Sequence, residues 1–164
     1  MKHLKCTIER QVVSAGVGLM LFGLLLFFTA GLIFIQGMFT FLLVPLFFFI
    51  IPMIPIHINY FIQDYYKELI IDKGLKTIVL KDFEFKRKFT FDEIVKVEIY
   101  SMYSTTRPVP WKFYKYAKFF LADGKYFVIT SFVLDFKNED LSDFIVVKQE
   151  KFYPLVYKDK NRLI

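Results

Sequence analysis

The sequence predicts a membrane α-helical hairpin followed by an α+β domain, in which antiparallel strands are closed by one C-terminal helix. No Asp, Glu, Lys or Arg occurs between Gln11 and Gln63. After Tyr66, apolar and polar residues alternate, and this is the side-chain period of a β-strand. Near the C-terminus, Asn138 precedes apolar residues at helical spacing and indicates a short helix over 139–149.

The uncharged block is long enough for two membrane crossings. A bilayer core about 30 Å thick is crossed by roughly 20 helical residues. We expect spans over 12–35 and 38–58, joined by the polar break Gln36-Gly37 as an antiparallel hairpin. The predicted layout is an N-terminal tail (1–11), the hairpin (12–62) and a folded domain (65–164).

Charge predicts the orientation of this hairpin. The tail carries Lys2, Lys5 and Arg10, the hairpin link carries no charge, and most basic residues lie in the C-terminal part. The positive-inside rule then places both termini in the cytoplasm and makes the chain a multi-pass protein of the cytoplasmic membrane. The single cysteine, Cys6, excludes a disulfide within the chain.

Small residues and prolines predict the geometry of the hairpin. Small residues spaced by seven positions favour close helix packing in lipid. Prolines remove backbone donors and bend a helix. The packing residues are Gly16, Gly23 and Ala30, and the kink residues are Pro45, Pro52 and Pro55.

The part beyond Tyr66 reads as a series of strands connected by short turns. Asp72-Lys73-Gly74 and Ala122–Lys125 have the composition of hairpin turns, and a polar loop separates the two halves at 101–110. The predicted strands cover 67–71, 75–80, 83–91, 94–100, 111–121 and 126–134.

Four segments resemble the bacterial pleckstrin-homology-like (PH-like) domain proteins of the inner membrane. They are LIIDKGL (69–75), FTFDEIVKVEI (89–99), LADGKYFVI (121–129) and NEDLSDFIV (138–146). The resemblance implies an antiparallel barrel or sandwich with a closing helix, presented by the hairpin as an interaction module. The sequence departs from that pattern by showing six clear strands instead of seven and by continuing past the closing helix with FYPLVY.

Little catalytic chemistry is available. Two histidines and one cysteine do not make a metal cluster, and no phosphate-binding loop or nucleophile motif is present. The sequence therefore predicts a protein that is not an enzyme, with no catalytic residue, metal, cofactor or small-molecule substrate. The net charge of +6 is spread among acidic and aromatic residues, so nucleic-acid binding is not expected either.

A basic aromatic surface is the predicted interaction site, although lysines that guard a sheet edge would give the same pattern. We expect an adaptor or scaffold that binds a protein partner, itself or the lipid bilayer. The alternative is an immunity or accessory subunit whose hairpin binds a membrane-acting toxin, channel or secretion component. The predicted surface comprises Lys86, Arg87, Lys88, Arg107, Trp111, Lys112, Tyr114, Lys115, Tyr116 and Lys118.

Overall fold

In the residues that it describes, a computed structural model of the protein shows two four-stranded sheets and a helix packed on one of them. The structure describes residues 1–12, 16, 20, 23–24, 51–83, 85–102, 111–136 and 141–163. The elements are β1 (Lys2–Lys5), α1 (Met53–Asp64), β2 (Glu68–Asp72), β3 (Thr77–Asp82), β4 (Phe85–Thr90), a 3-10 turn (Phe91–Glu93), β5 (Ile94–Ser101), β6 (Tyr116–Leu121), β7 (Tyr126–Thr130) and β8 (Val146–Glu150).

The first sheet is antiparallel throughout, in the order β1-β2-β3-β4. Alternation of side chains places Leu69, Leu80 and Phe89 on its buried face. Its first strand comes from the extreme N-terminus, where Leu4 pairs with Leu69. The residues expected to form a tail thus supply an edge strand, and residues 8–12 after it are helical.

The second sheet has the order β7-β6-β5-β8. The β6–β7 hairpin turns at Gly124, whose φ of 80° lies in the left-handed region that glycine adopts without a steric penalty. Its last strand, β8, runs parallel to β5, with Val97 opposite Val146.

The closing helix predicted over 139–149 is wrong where the structure describes it. Residues 146–150 form β8, and residues 142–143 form a turn. The β-branched pair Val146-Val147 favours an extended backbone, and β5 offers it an edge to pair with. Phe144 still reaches the core, with its ring 4.7 Å from that of Phe91. Residues 137–140 lie outside the described part of the chain.

The main core lies between the two sheets. Phe119 and Phe127 are fully buried there, and their rings stack at a centroid distance of 4.8 Å. The ring of Phe89 from the first sheet stacks on Phe127 at 5.1 Å and joins the two layers. Aromatic side chains bury roughly 150–250 Å² each, so these three rings are a large part of the main core.

A second core lies on the opposite face of the second sheet, beneath α1. Tyr60 of α1 is fully buried, and its hydroxyl donates to the Pro154 carbonyl at 2.8 Å. Its ring lies 5.3 Å from that of Tyr114 and 5.8 Å from that of Phe132. The second sheet is therefore covered on both faces, and for this reason all five residues of β7 are buried.

The predicted transmembrane hairpin, and the inner-membrane localisation built on it, are wrong for the described part of the chain. No helix among the described residues is both long and apolar enough to span a bilayer. The second span was expected to end at Ile58, but α1 continues to Asp64 and packs one face on the second sheet. Most of the two expected spans, including Ala30 and Pro45, falls on residues outside the description.

Candidate interaction surface

The aromatic residues of the predicted surface are buried. Trp111, Tyr114 and Tyr116 retain at most 2% of their exposure, because they form the second core beneath α1. Trp111 also donates from its indole nitrogen to the Phe152 carbonyl at 3.0 Å. These three side chains hold the domain together and are not available as a surface.

The predicted basic residues lie in separate places. Lys86 and Lys88 are exposed on β4, whereas Arg87 points to the other face, with its guanidinium 5.0 Å from the Phe89 ring centre. The Lys112 ammonium lies 4.9 Å from the Phe113 ring centre. Lys115 and Lys118 are half-buried. Arg107 lies outside the described residues.

The structure describes four of the residues that were predicted to shape the hairpin: Gly16, Gly23, Pro52 and Pro55. A Cβ added at Gly16 or at Gly23 would meet no described atom within 4 Å. Pro52 is the N-cap of α1, and Pro55 lies in its first turn. The first-turn amides of a helix have no intrahelical acceptor, so both prolines are tolerated there without breaking α1.

A different set of side chains does converge, on the face of the second sheet that α1 leaves partly open. Alternation along β5 places Lys96, Glu98 and Tyr100 on this face, and the β5–β6 register puts Lys118 opposite Glu98. Lys151 follows β8 and lies beside Tyr100. We call these five residues the lysine–tyrosine surface.

Two ammonium groups of this surface share one aromatic ring. The Lys151 ammonium lies 4.7 Å and the Lys118 ammonium 5.8 Å from the ring centre of Tyr100. Lys118 also lies 4.2 Å from the ring centre of Tyr126, and Lys151 donates to the Tyr116 hydroxyl at 3.2 Å. Cations over aromatic faces are attracted by the ring quadrupole, so the rings hold both ammonium groups in place.

The carboxylate of Glu98 is already engaged. Lys96 donates to one of its oxygens at 2.8 Å, and the Tyr100 hydroxyl donates to the other at 2.6 Å. Burial favours the neutral acid, but these two hydrogen bonds outweigh it and lower the pKa of Glu98. Burial, followed by the hydrogen bond to Glu98, raises the pKa of Tyr100, so that its hydroxyl stays a donor.

Positive charge at Lys118 is less well compensated. Burial, which leaves 18% of the side chain exposed, is the main reason that the pKa of Lys118 is lowered, and the neighbouring Lys151 charge lowers it further. The Asp159 carboxylate acts in the opposite direction from 3.9 Å, but it also accepts a hydrogen bond from the Tyr126 hydroxyl. A further anion between Lys118 and Lys151 would relieve this repulsion.

The arrangement suits recognition of an anion. Among the described residues, no group of three or more His, Cys, Asp and Glu is placed to hold a metal ion. The two lysines instead offer charged donors beside the flat ring of Tyr100, which suits a carboxylate attached to an apolar or aromatic segment.

Sequence reasoning identified only Lys118 of this surface. The alternation in KVEIY indicates that Lys96, Glu98 and Tyr100 share a face. It does not say that α1 packs on the same face of the sheet, nor that Lys151 returns to it from the end of β8. Both facts depend on contacts between residues far apart in the sequence.

Two sheets packed around a common core, with a charged and aromatic surface on the second sheet, define a small β-rich domain. A family model described as a PH domain matches residues 2–140. The chain therefore belongs to the PH domain family, whose members in general bind proteins or lipids and usually have no enzymatic activity. No curated protein and no solved structure matches the chain.

Proposed function

We propose that the chain is a non-enzymatic adaptor domain that binds an acidic segment of a protein partner through the lysine–tyrosine surface. Membership of the PH domain family supports an interaction role. The observation that carries the proposal is the placement of two ammonium groups, Lys118 and Lys151, over the ring of Tyr100. The alternative of an immunity or accessory subunit depends on a membrane hairpin and is not taken further.

The chemistry of the surface favours a carboxylate as the bound group. Glu98 makes its hydrogen bonds with Lys96 and Tyr100, and its charge acts on Lys118 without a direct contact. A carboxylate between Lys118 and Lys151 would accept charge-assisted hydrogen bonds, which contribute about 1.5–3 kcal/mol each. One face of the half-buried Tyr100 ring stacks on Tyr116 at 4.6 Å, so an adjacent apolar or aromatic side chain of the partner would contact the part of the ring that stays exposed.

Selection from a random peptide display library on the immobilised full chain tests the proposal. We expect the selected peptides to be enriched in Asp and Glu next to apolar residues, and their affinity to fall as salt is raised. Dissociation constants for one selected peptide are then measured with the wild type and with the Lys118→Gln/Lys151→Gln double variant.

The double variant should weaken binding by about 100-fold or more, since it removes two charge-assisted hydrogen bonds of about 1.5–3 kcal/mol each and every 1.4 kcal/mol is tenfold. The matched control is Lys88→Gln, which removes one exposed positive charge from the first sheet and should leave the affinity unchanged. Selection of neutral or basic peptides, or equal affinity of wild type and double variant, would contradict the proposal.

A further inference from the structure

β8 is the outer edge of the second sheet, and no other strand in the described part of the chain pairs with its far side. An open edge offers backbone donors and acceptors to any extended segment of another chain. The two edges of the first sheet are guarded by basic residues that repel a second copy. These residues are Lys2 and Lys5 on β1, and Lys86, Arg87 and Lys88 on β4.

The edge at β8 lacks this protection. Its two charged residues, Lys148 and Glu150, have opposite signs and are exposed. Apolar side chains are exposed on both sides of them: Ile145 at 69% and Val146 at 36% before them, and Phe152 at 46% and Tyr153 at 42% after them. Both the charges and the apolar residues are arranged symmetrically about Gln149.

We propose that two copies of this chain associate by antiparallel pairing of β8 with β8, on a two-fold axis through Gln149. This register places Lys148 opposite Glu150 of the second copy, and the symmetry repeats the pair. It also brings Val146 towards Phe152 of the second copy, and Ile145 towards Tyr153. The second sheets of the two copies become one continuous eight-stranded sheet.

The two-fold symmetry leaves few competing registers. An antiparallel ladder alternates between hydrogen-bonded and non-hydrogen-bonded pairs, and a two-fold axis must map each kind of pair onto itself. One symmetric register therefore differs from the next by a movement of the axis along β8 by one whole residue. The neighbouring axes pass through Lys148 or through Glu150, and each places two like charges directly opposite one another, which is destabilising. The register centred on Gln149 instead pairs opposite charges.

A charge-swap series measured by sedimentation velocity on the full chain tests the proposal. The wild type should show a concentration-dependent shift from monomer to dimer. Lys148→Glu and Glu150→Lys should each raise the dimer dissociation constant about 10-fold or more, and the double swap should restore it, since Glu at 148 again faces Lys at 150. The matched control is Lys158→Glu, an exposed lysine of the C-terminal segment, which should dimerise as the wild type does.

Disulfide trapping gives a second readout that does not depend on the stability of the swapped variants. With Cys6 replaced by Ser, the Gln149→Cys variant places two thiols opposite each other across the axis. Directly opposed residues have Cα atoms about 4.5–5.5 Å apart, within the range that a disulfide bridges. Oxidised glutathione should link this variant into dimers much faster than Lys158→Cys. A wild type that stays monomeric, a double swap as weak as the single swaps, or equal crosslinking at the two positions would overturn the proposal.

Discussion

The Asp64 carboxylate and the Lys67 ammonium face each other at 3.5 Å, and at most 1% of either side chain is exposed. The pair lies between the end of α1 and the start of β2. Asp64 also accepts from the Thr130 amide at 2.7 Å, and Lys67 donates to the Val128 carbonyl at 3.1 Å. Burial raises the pKa of Asp64 and lowers the pKa of Lys67, and the charge of each partner opposes these shifts. The pair ties α1 to β7.

Breaking this buried ion pair should destabilise the fold strongly. The Asp64→Asn substitution keeps the side-chain shape but leaves the Lys67 ammonium buried without its counter-charge. Removing one partner of a buried pair costs about 3–5 kcal/mol. We expect a loss of that size in the free energy of unfolding, measured by urea denaturation followed by circular dichroism.

The matched control for Asp64→Asn is Glu68→Gln. Glu68 and Lys81 also form an ion pair, at 3.2 Å, but their side chains are 43% and 39% exposed. Exposed pairs contribute about 0–1 kcal/mol. Equal losses from the two substitutions would show that burial does not set the contribution of the Asp64–Lys67 pair.

Glu98 should make stability depend on pH. Because the pKa of Glu98 in the folded protein lies below its ordinary value of 4.5, the ionised carboxylate contributes stability above about pH 4.5. That contribution is lost as the pH falls through the folded-state pKa. We expect Glu98→Gln to be less stable than the wild type at pH 7 and to approach it at pH 3, measured by thermal unfolding. A difference that stays constant over this range would contradict the assignment.

The Tyr60 hydroxyl should stabilise the attachment of the C-terminal segment to α1. Tyr60→Phe removes the donor at 2.8 Å from the buried Pro154 carbonyl and changes little else. An unsatisfied buried acceptor costs about 1–3 kcal/mol, so we expect a loss of that order in urea unfolding. Tyr157→Phe is the control, because Tyr157 is 65% exposed, and its effect should be near zero.

Trp111 should behave as a core residue and not as a binding residue. Trp111→Ala removes a large side chain that is 2% exposed and should cost about 3–5 kcal/mol of unfolding free energy. Lys112→Ala, the neighbouring substitution, should leave stability nearly unchanged. If Trp111→Ala folded as stably as the wild type, its place in the second core would be wrong.

Local sequence signals predicted most of the strands. The runs expected at 67–71, 75–80 and 94–100 match β2, β3 and β5 within a few residues, and the turn expected at 122–125 contains Gly124. These elements have clear alternation and turn residues close together in the chain. The local sequence pattern is sufficient to predict a strand where that strand pairs with its neighbour in the sequence.

Elements defined by distant partners were missed. β1 is only four residues long, and nothing in KHLK distinguishes a strand from a tail until β2 pairs with it. The helix expected over 139–149 rested on the spacing of Leu141, Phe144 and Ile145, but β5 supplies hydrogen bonds to the extended form instead. In this segment, pairing with β5 determined the backbone conformation, and the helical spacing of the apolar residues did not.

The site was only partly predictable for the same reason. The basic residues Lys112, Lys115 and Lys118 are interleaved with aromatic residues in the segment 111–118, and this pattern predicts a half-exposed sheet. Because α1 covers the second face, Tyr116 is 1% exposed, whereas Lys118, two residues further along, is at the margin of the cover. Periodicity assigns residues to the two faces of a sheet, but it does not say which face is exposed to solvent.

The pairing of β1 with β2 joins residues that the ribosome makes at very different times. Residues 6–67 separate Lys2–Lys5 from Glu68–Asp72, so β2 emerges from the exit tunnel only after all of them have been translated. During that interval β1 has no β2 to pair with, so the edge of the first sheet at β1 cannot form until β2 has been translated.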